Sequence, residues 1–469
     1  MKRVFTTLAG LLLAVLVVTS PARSAGPKLN LLLITADDMN ADSAGYMGSK
    51  LGATPNLDAF AAAAHRFVNN HVTAPICQPS REAFLTGRVP HRNGGLGFNP
   101  IRADVPTLVE VLRENGYHAV GINKLAHMAP APKFPWDRTY EGSGKNPEML
   151  RRQMDEALRD AAAAGKPWFV NANVTDPHRP FYASAQGQRP RPARRQMAEG
   201  EVQPYPPAQV TVPAFLEDVP AVRQEVAEYY SSVRRFDLSF GQIMAALKSS
   251  GQEARTAVVF MSDHGMSFPF SKATVYRNGT WSPVLIRWPG MGKPQVREEL
   301  VSSVDLMPSL LELLQVKVPP QMDGRSWLPL LEGMKQPDRD FVVTHVNTVS
   351  SGRAFPQRCV RTRTHSLLFQ PWAGTTQFRV EAMNGLTYNA LAEAGKSDPR
   401  IRVRVEQLVS GRALALYDLQ KDPSERENVI GHPKYQPVAQ RLRTLLLAHM
   451  ERTGDPQLTA FRSAIQGSD

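Results

Sequence analysis

The chain has 469 residues, 42% of them apolar and 21% charged, a balance that excludes a disordered or collagen-like protein. Its formal charge is +12, and its two cysteines, Cys77 and Cys359, are too few for a disulfide framework. Packing must therefore hold the fold together, and the net charge favours anionic partners.

Lys2 and Arg3 precede an apolar run over residues 8–18, and small residues follow, with cleavage positions after Ala22 or Ala25. This layout predicts a secretory signal over residues 1–25, its apolar run too short to span a bilayer comfortably. No later stretch reaches transmembrane length, so the expectation is an exported protein, periplasmic or extracellular, without stable membrane insertion. The sequence carries no helix-turn-helix, zinc-finger or RNA-binding signature, and an exported chain meets little nucleic acid. Nucleic acid is not an expected partner.

Residues 28–35 (KLNLLLIT) form a nearly continuous apolar run, as in a strand buried on both faces, and the run ends in Asp37 and Asp38. Thr54 and Pro55 provide an N-cap and a first helical residue for a helix over 55–64. A second helix is predicted over 106–115, stopped by Gly116, and then a strand over 117–122. Buried strands follow at 168–174, 256–261 and 284–288, with amphipathic helices at 220–249 and 304–314. Strands alternating with helices imply an α/β fold, a large mixed sheet sandwiched by helices. Residues 183–213, rich in Pro, Arg and Gln, read as a long surface excursion, with Arg189, Arg191, Arg194 and Arg195 as a solvated basic cluster. Short strands at 341–345, 358–363, 366–369 and 413–418, then a helix at 435–452, mark a change of pattern. They predict a smaller C-terminal α+β unit over 336–469 carrying a short antiparallel sheet, behind a larger unit over 26–335.

In open α/β sheets, ligands bind beyond the carboxyl ends of the strands. Asp37 and Asp38 follow the first strand, Lys124 and His127 the strand over 117–122, Asp176 and His178 the next, and Asp263 and His264 the strand over 256–261. Any one pair reads equally as a turn or a cap. Four strand ends delivering carboxylates, imidazoles and a lysine to one rim point to a site. His65, His71, His91 and His118 lie outside these ends and read as structural.

Cys77-Gln78-Pro79-Ser80-Arg81, followed by Leu85-Thr86-Gly87-Arg88, is the sharpest motif. As bare chemistry, a cysteine opening a helix is a candidate thiolate nucleophile. The stretch resembles the signature of the sulfatase family, C-x-P-S-R followed by L-T-G-R, in which the cysteine is converted after synthesis to formylglycine. The resemblance implies an alkaline-phosphatase-like fold and a maturation enzyme that generates the aldehyde. It makes hydrated Cys77-derived formylglycine the nucleophile of a sulfuric ester or sulfamate hydrolase. It further implies Asp37, Asp38, Cys77, Asp263 and His264 as the ligands of a divalent metal, Ca²⁺ or else Mg²⁺, as oxygen-rich sites prefer. His264 stands where many members have Asn. Arg81 resembles the arginine that holds the aldehyde-derived group. Lys124 and His127, spaced K-x-x-H where many members have K-x-H, and His178 and Lys272, complete the implied catalytic set. His178 and Lys272 are also implied to contact the sulfate.

Within the family, VTDPHRPF, SDHGMSFPFSKATVYRNGTW, VSSVDLMPSLLELL, THVNTVSSGRAFPQRCVRT and LALYDLQKDPSERENV resemble the heparan N-sulfatase branch. That likeness implies a sulfated saccharide substrate, the N-sulfate of glucosamine in heparan-type chains, and sugar contacts from His345, with Arg353 and Arg358 as further candidates. A glycan O-sulfatase, for example at the 6-hydroxyl, and a phosphonate or phosphate ester hydrolase of the same superfamily are the alternatives.

Overall fold

The computed structural model describes residues 28–185 and 202–467. The expected signal over 1–25 and the basic cluster at Arg189, Arg191, Arg194 and Arg195 lie outside the described residues. The strands of the large sheet and its surroundings are β1 (Asn30–Asp37), β2 (His65–Phe67), β3 (Asn70–His71), β4 (His118–Ile122) and β5 (Arg138–Tyr140). They continue with β6 (Trp168–Pro177), β7 (Thr256–Ser262), β8 (Val284–Arg287), β9 (Val296–Arg297) and β10 (Val301–Ser302). The C-terminal strands are β11 (Val342–Thr348), β12 (Ala354–Arg361), β13 (His365–Phe369) and β14 (Leu414–Asp418).

The large sheet has the order β5-β4-β6-β1-β7-β8-β2-β9. Its first five strands are mutually parallel, β8 runs antiparallel to both neighbours, and β3 pairs with β10 apart from the sheet. The apolar run of β1 is continuous because both of its faces are covered. Leu31 and Leu33 face a core built with the helices Leu108–Glu114 and Leu306–Leu313. Leu32, Ile34 and Ala36 face a second core with Pro147–Ala163 and Pro220–Ser249. Helix Leu108–Glu114 starts at a capping box of Thr107 and Glu110, which satisfies free backbone donors at its first turn.

The four C-terminal strands form an antiparallel sheet in chain order. Val343, Val360 and Leu367 pack with helices Gln436–Thr453 and Leu458–Gln466 in a core of their own. Val346, Cys359 and Leu368 join the core of the large sheet, so the small sheet is seated on the large unit through one face. This α/β architecture, a large mixed sheet plus a small antiparallel one, is the one expected from the pattern of elements.

Four of the longer helices were not expected from the sequence: Pro147–Ala163, Leu386–Ala394, Pro399–Ser410 and Leu458–Gln466. Part of the 183–213 segment also departs from a free excursion. Val202 and Val210 are buried, and the Tyr205 N–H donates to Ser231 Oγ at 2.9 Å, tying this stretch to helix Pro220–Ser249. Among the described residues, no helix is long and apolar enough to cross a membrane.

Candidate active site

β4, β6, β1 and β7 are adjacent and parallel, so their carboxyl ends share one edge of the sheet. The chain turns sharply there. Asp38 and Lys124 follow their strands with φ of 68° and 56°, the left-handed region that side chains seldom adopt. Such backbone is tolerated where surrounding contacts fix it, often at functional sites.

Cys77 is the first residue of helix Cys77–Thr86, every residue of which is buried. Its Sγ donates to Asp37 Oδ1 at 3.5 Å and lies 3.3 Å from His264 Nε2. Burial, reinforced by Asp37, pushes the Cys77 thiol well above its ordinary range, so the unmodified side chain is not a poised thiolate. Arg81, one helical turn later, projects to the same face. Its guanidinium donates to Asp263 Oδ2 at 2.9 Å, to Asn173 Oδ1 at 2.6 Å and to Thr35 Oγ1 at 3.1 Å. Asn173 in turn donates to the backbone carbonyls of Ile122 and Asn123, joining β6 to the end of β4.

The carboxylates of Asp37, Asp38 and Asp263 are wholly buried, with Lys124 Nζ 2.5 Å from Asp37 Oδ2 and Lys272 Nζ 3.0 Å from Asp38. Burial pushes Asp37 upward, but Lys124, His178, Arg81 and Lys272 outweigh it and hold the carboxyl well below the usual range. Burial raises Asp38 to about 6, against the pull of Lys272 and His264. Asp37 Oδ2 and Asp38 Oδ1 face the Lys124 and Lys272 ammonium groups but accept no well-aligned hydrogen bond. His264 Nδ1 lies 2.9 Å from the Gly265 carbonyl, which can only accept, so Nδ1 carries a proton and Nε2 is the nitrogen able to offer a lone pair to a cation. That lone pair faces Asp38 Oδ1 at 3.4 Å and Asp263 Oδ1 at 3.8 Å. Lone pair against carboxylate is repulsive unless a cation lies between, and an imidazole anchored through its other nitrogen to a carbonyl is the usual form of a metal ligand. Two overlapping groups, Asp37, Asp38, Cys77 and His178, and Asp37, Cys77, Asp263 and His264, hold their ligand atoms within 4.8 Å of one another. The donor set fits a divalent cation.

Lys272 and His178 border this cluster. Lys272 is 1% exposed and also ion-pairs with Glu381, whose side chain is 37% exposed. Burial opposes it, but Asp38, Cys77 and Glu381 raise the Lys272 ammonium well above its ordinary value, so it stays charged. Burial pushes Glu381 up, but Lys272 holds it at about 2. His178 Nδ1 lies 2.6 Å from the Arg179 carbonyl, which leaves Nε2 as a lone pair; burial and Lys272 depress its protonation strongly. Burial and Lys124 likewise lower His127 to about 3, and its ring meets Phe98 edge-on at 5.5 Å. Lys145 secures the His178 turn by donating to the carbonyls of His178 and Pro180. Asp176 is taken by Arg235 through bonds of 2.5 and 2.9 Å and does not enter the carboxylate cluster.

The structure thus brings Asp37, Asp38, Cys77, Arg81, Lys124, His127, His178, Asp263, His264 and Lys272 together. Two of the expected sugar contacts, His345 and Arg358, are packed in the interior. His345 is wholly buried, with its ring 5.4 Å from those of both His91 and His449. Arg358, also wholly buried, grips both Asp455 oxygens at 2.6 and 2.8 Å. Arg353 stands on an exposed turn with its guanidinium 5.3 Å from the Phe355 ring. Glu381, Asn173 and Lys145 were not anticipated. Glu381 belongs to no motif and reaches the site from a distant part of the chain, whereas Asn173 sits in the strand that ends at His178 and was findable on that ground.

The fold and the cluster define a hydrolase of the sulfatase type. The sulfatase family profile matches residues 29–316, more than half of the chain, and the chain belongs to that family. A second profile, described as N-sulphoglucosamine sulphohydrolase, C-terminal, matches residues 263–370. The chain is 29% identical to human N-sulphoglucosamine sulphohydrolase over 471 residues, covering 92% of this chain and 91% of the human protein. Among solved structures, one in complex with its substrate D-glucosamine-2-N,6-O-disulfate aligns with TM-score 0.69 at 18% identity, over 92% of this chain and 99% of the other. A phosphonate monoester hydrolase of Agrobacterium radiobacter aligns equally, TM-score 0.69 at 18% identity, over 91% and 96%. At such identities these two report the fold alone. The chain is therefore a sulfuric ester hydrolase of a family that generally uses formylglycine and a divalent metal.

Proposed function

We propose that the protein removes the N-sulfate of glucosamine from heparan-type saccharides, with formylglycine made from Cys77 and a calcium ion at the carboxylate cluster. The observation that carries the reading is the placement of Cys77 Sγ, 3.5 Å from Asp37 and 3.3 Å from His264, at a helix N-terminus ringed by fixed cations. Formylglycine supplies a geminal diol whose one hydroxyl takes up sulfate and whose other allows sulfate to be expelled as the aldehyde re-forms. A divalent cation supplies polarisation of that diol and neutralises negative charge on a sulfate oxygen. Asp37, Asp38, Asp263, His264 Nε2 and position 77 would hold it.

The remaining work falls to side chains of this chain. Arg81, fixed by three acceptors and the nearby Asp37 charge, and Lys124 orient position 77 and offset charge as it develops. His127, neutral, is the base that accepts the proton of the second hydroxyl. Lys272 binds the sulfate beside the bridging atom, with His178 Nε2 facing the same space. Three considerations support a sulfated sugar over other tetrahedral esters: the cationic rim, the N-sulphoglucosamine sulphohydrolase profile over 263–370 and the likeness to the human enzyme along nearly the whole chain.

The test is an assay on glucosamine sulfated only on nitrogen, only at the 6-hydroxyl or only at the 3-hydroxyl. The N-sulfate is expected to be turned over fastest. A preference for the 6-O-sulfate identifies an O-sulfatase, and a preference for a phosphonate monoester removes the enzyme from sulfur chemistry altogether.

A further inference from the structure

Asp37, Asp38 and Asp263 are fully buried behind the cations, but Glu381 is not: its carboxylate is 37% exposed and closes on Lys272 from the outer side. Glu381 also lies within electrostatic range of His178 and His264. It is held there by a specific tie. The Glu225 carboxylate accepts from the backbone N–H groups of Leu386 at 2.9 Å and Thr387 at 2.7 Å, and from Arg179 Nη1 at 2.5 Å. One carboxylate therefore fixes the turn that carries Glu381 to the turn that carries His178. Gly385 allows this contact, because a Cβ there would stand 2.2 Å from Glu225 Oε1 and 2.4 Å from Arg179 Nη2.

Resting on the N-sulfate reading above, we infer that Glu381 selects a sulfamate substrate by holding the leaving nitrogen as it becomes an ammonium. The balance of the two reactions differs at this atom. A sulfamate, RNHSO₃⁻, and water give RNH₃⁺ and SO₄²⁻: the S–N pair stays on nitrogen, and both hydrogens of the water end there. An alkyl sulfate, ROSO₃⁻, and water give neutral ROH and sulfate, with one proton released to solvent. A carboxylate on the leaving-group side favours the cation formed in the first case and has no cationic partner in the second. It would also repel the anionic sulfate, which is why it is useful only when Lys272 stands between it and the sulfate. Lys272 is placed for that part, paired with Asp38 on one side and Glu381 on the other.

The experiment uses the full chain carrying formylglycine, as wild type, Glu381→Gln and Glu381→Ala. Turnover of N-sulfoglucosamine is measured together with competitive inhibition by glucosamine, a cation at neutral pH, and by inorganic sulfate. Both variants are expected to lose about 10–100-fold in kcat/KM and in affinity for glucosamine, the range set by a charge-assisted contact, while inhibition by sulfate stays within about twofold. Parallel weakening of sulfate and glucosamine overturns the inference, because Glu381 would then act only by positioning Lys272. Unchanged glucosamine inhibition also overturns it. A wild-type enzyme that turns over only O-sulfated glucosamine defeats the N-sulfate reading itself, a result distinct from either of these.

Discussion

Among the described residues, two buried clusters of ligand-type side chains invite comparison, around Cys77 and around His345. Around Cys77, three wholly buried aspartates confront Arg81, Lys124 and Lys272, and His264 Nε2 turns toward Asp38 and Asp263. Around His345, the rings of His91 and His449 flank it and Asp455 lies near, with ligand atoms of His91, His345 and Asp455 also within 4.8 Å of one another. There, however, Arg358 saturates Asp455 through both oxygens, and its positive charge discourages a metal. Burial and the Arg358 charge push His345 well below its ordinary range, so the imidazoles stay neutral. Proximity of ligand-type residues does not make a site: three carboxylates gathered around one position do, where a single carboxylate already gripped by an arginine does not.

Loss of the reacting group is the largest way to break that comparison. Cys77→Ala is expected to lower turnover by about 10⁵-fold or more, as for other covalent nucleophiles, with the fold intact by circular dichroism. Turnover near the wild-type rate would remove position 77 from the chemistry. Asp263→Asn removes one candidate ligand and the main partner of Arg81. It should reduce metal content, read by elemental analysis of the purified protein, and cut activity by about 10²-fold or more. Full metal content in that variant would exclude Asp263 from the ligand set.

The second cluster is expected to respond in stability instead. Arg358→Ala strands the Asp455 carboxylate in the interior and should cost about 3–5 kcal/mol in denaturant unfolding, with metal content unchanged. A smaller effect comes from pH. Burial lowers His449 from 6.5 to about 3, so the unfolded chain binds its proton first as pH falls. The stability from its neutral form is complete above about pH 6.5 and is lost progressively as pH falls through the window down to about 3, at roughly 1.4 kcal/mol per pH unit. His449→Gln should make the fall of unfolding free energy between pH 7 and pH 5 shallower; an unchanged slope would remove His449 from the groups that set it.

The first cluster was largely legible in the sequence because its residues follow apolar strands directly, and parallel neighbours place such positions on one edge whatever the helices do. β1, β4, β6 and β7 lie where the apolar runs put them. Helix Pro147–Ala163 escaped notice even though its start is marked by Asn146, whose side chain accepts from the Met149 N–H at 3.0 Å, and by Pro147 at the first turn. Glu381 was not legible at all. Its position depends on Glu225, some 150 residues earlier, meeting the backbone of Leu386 and Thr387. No local pattern encodes such a tie. The placement of His345 was equally hidden, since a histidine in an alternating strand reads the same whether it faces a pocket or the packing of a C-terminal helix.

The central claim is an aldehyde at position 77 inside a cation-binding cluster. Mass analysis of the peptide spanning Cys77, taken from catalytically active protein made with its maturation enzyme, tests it most directly. Formylglycine at that residue in proportion to specific activity is the expected result; fully active protein with an unmodified thiol at position 77 would contradict it.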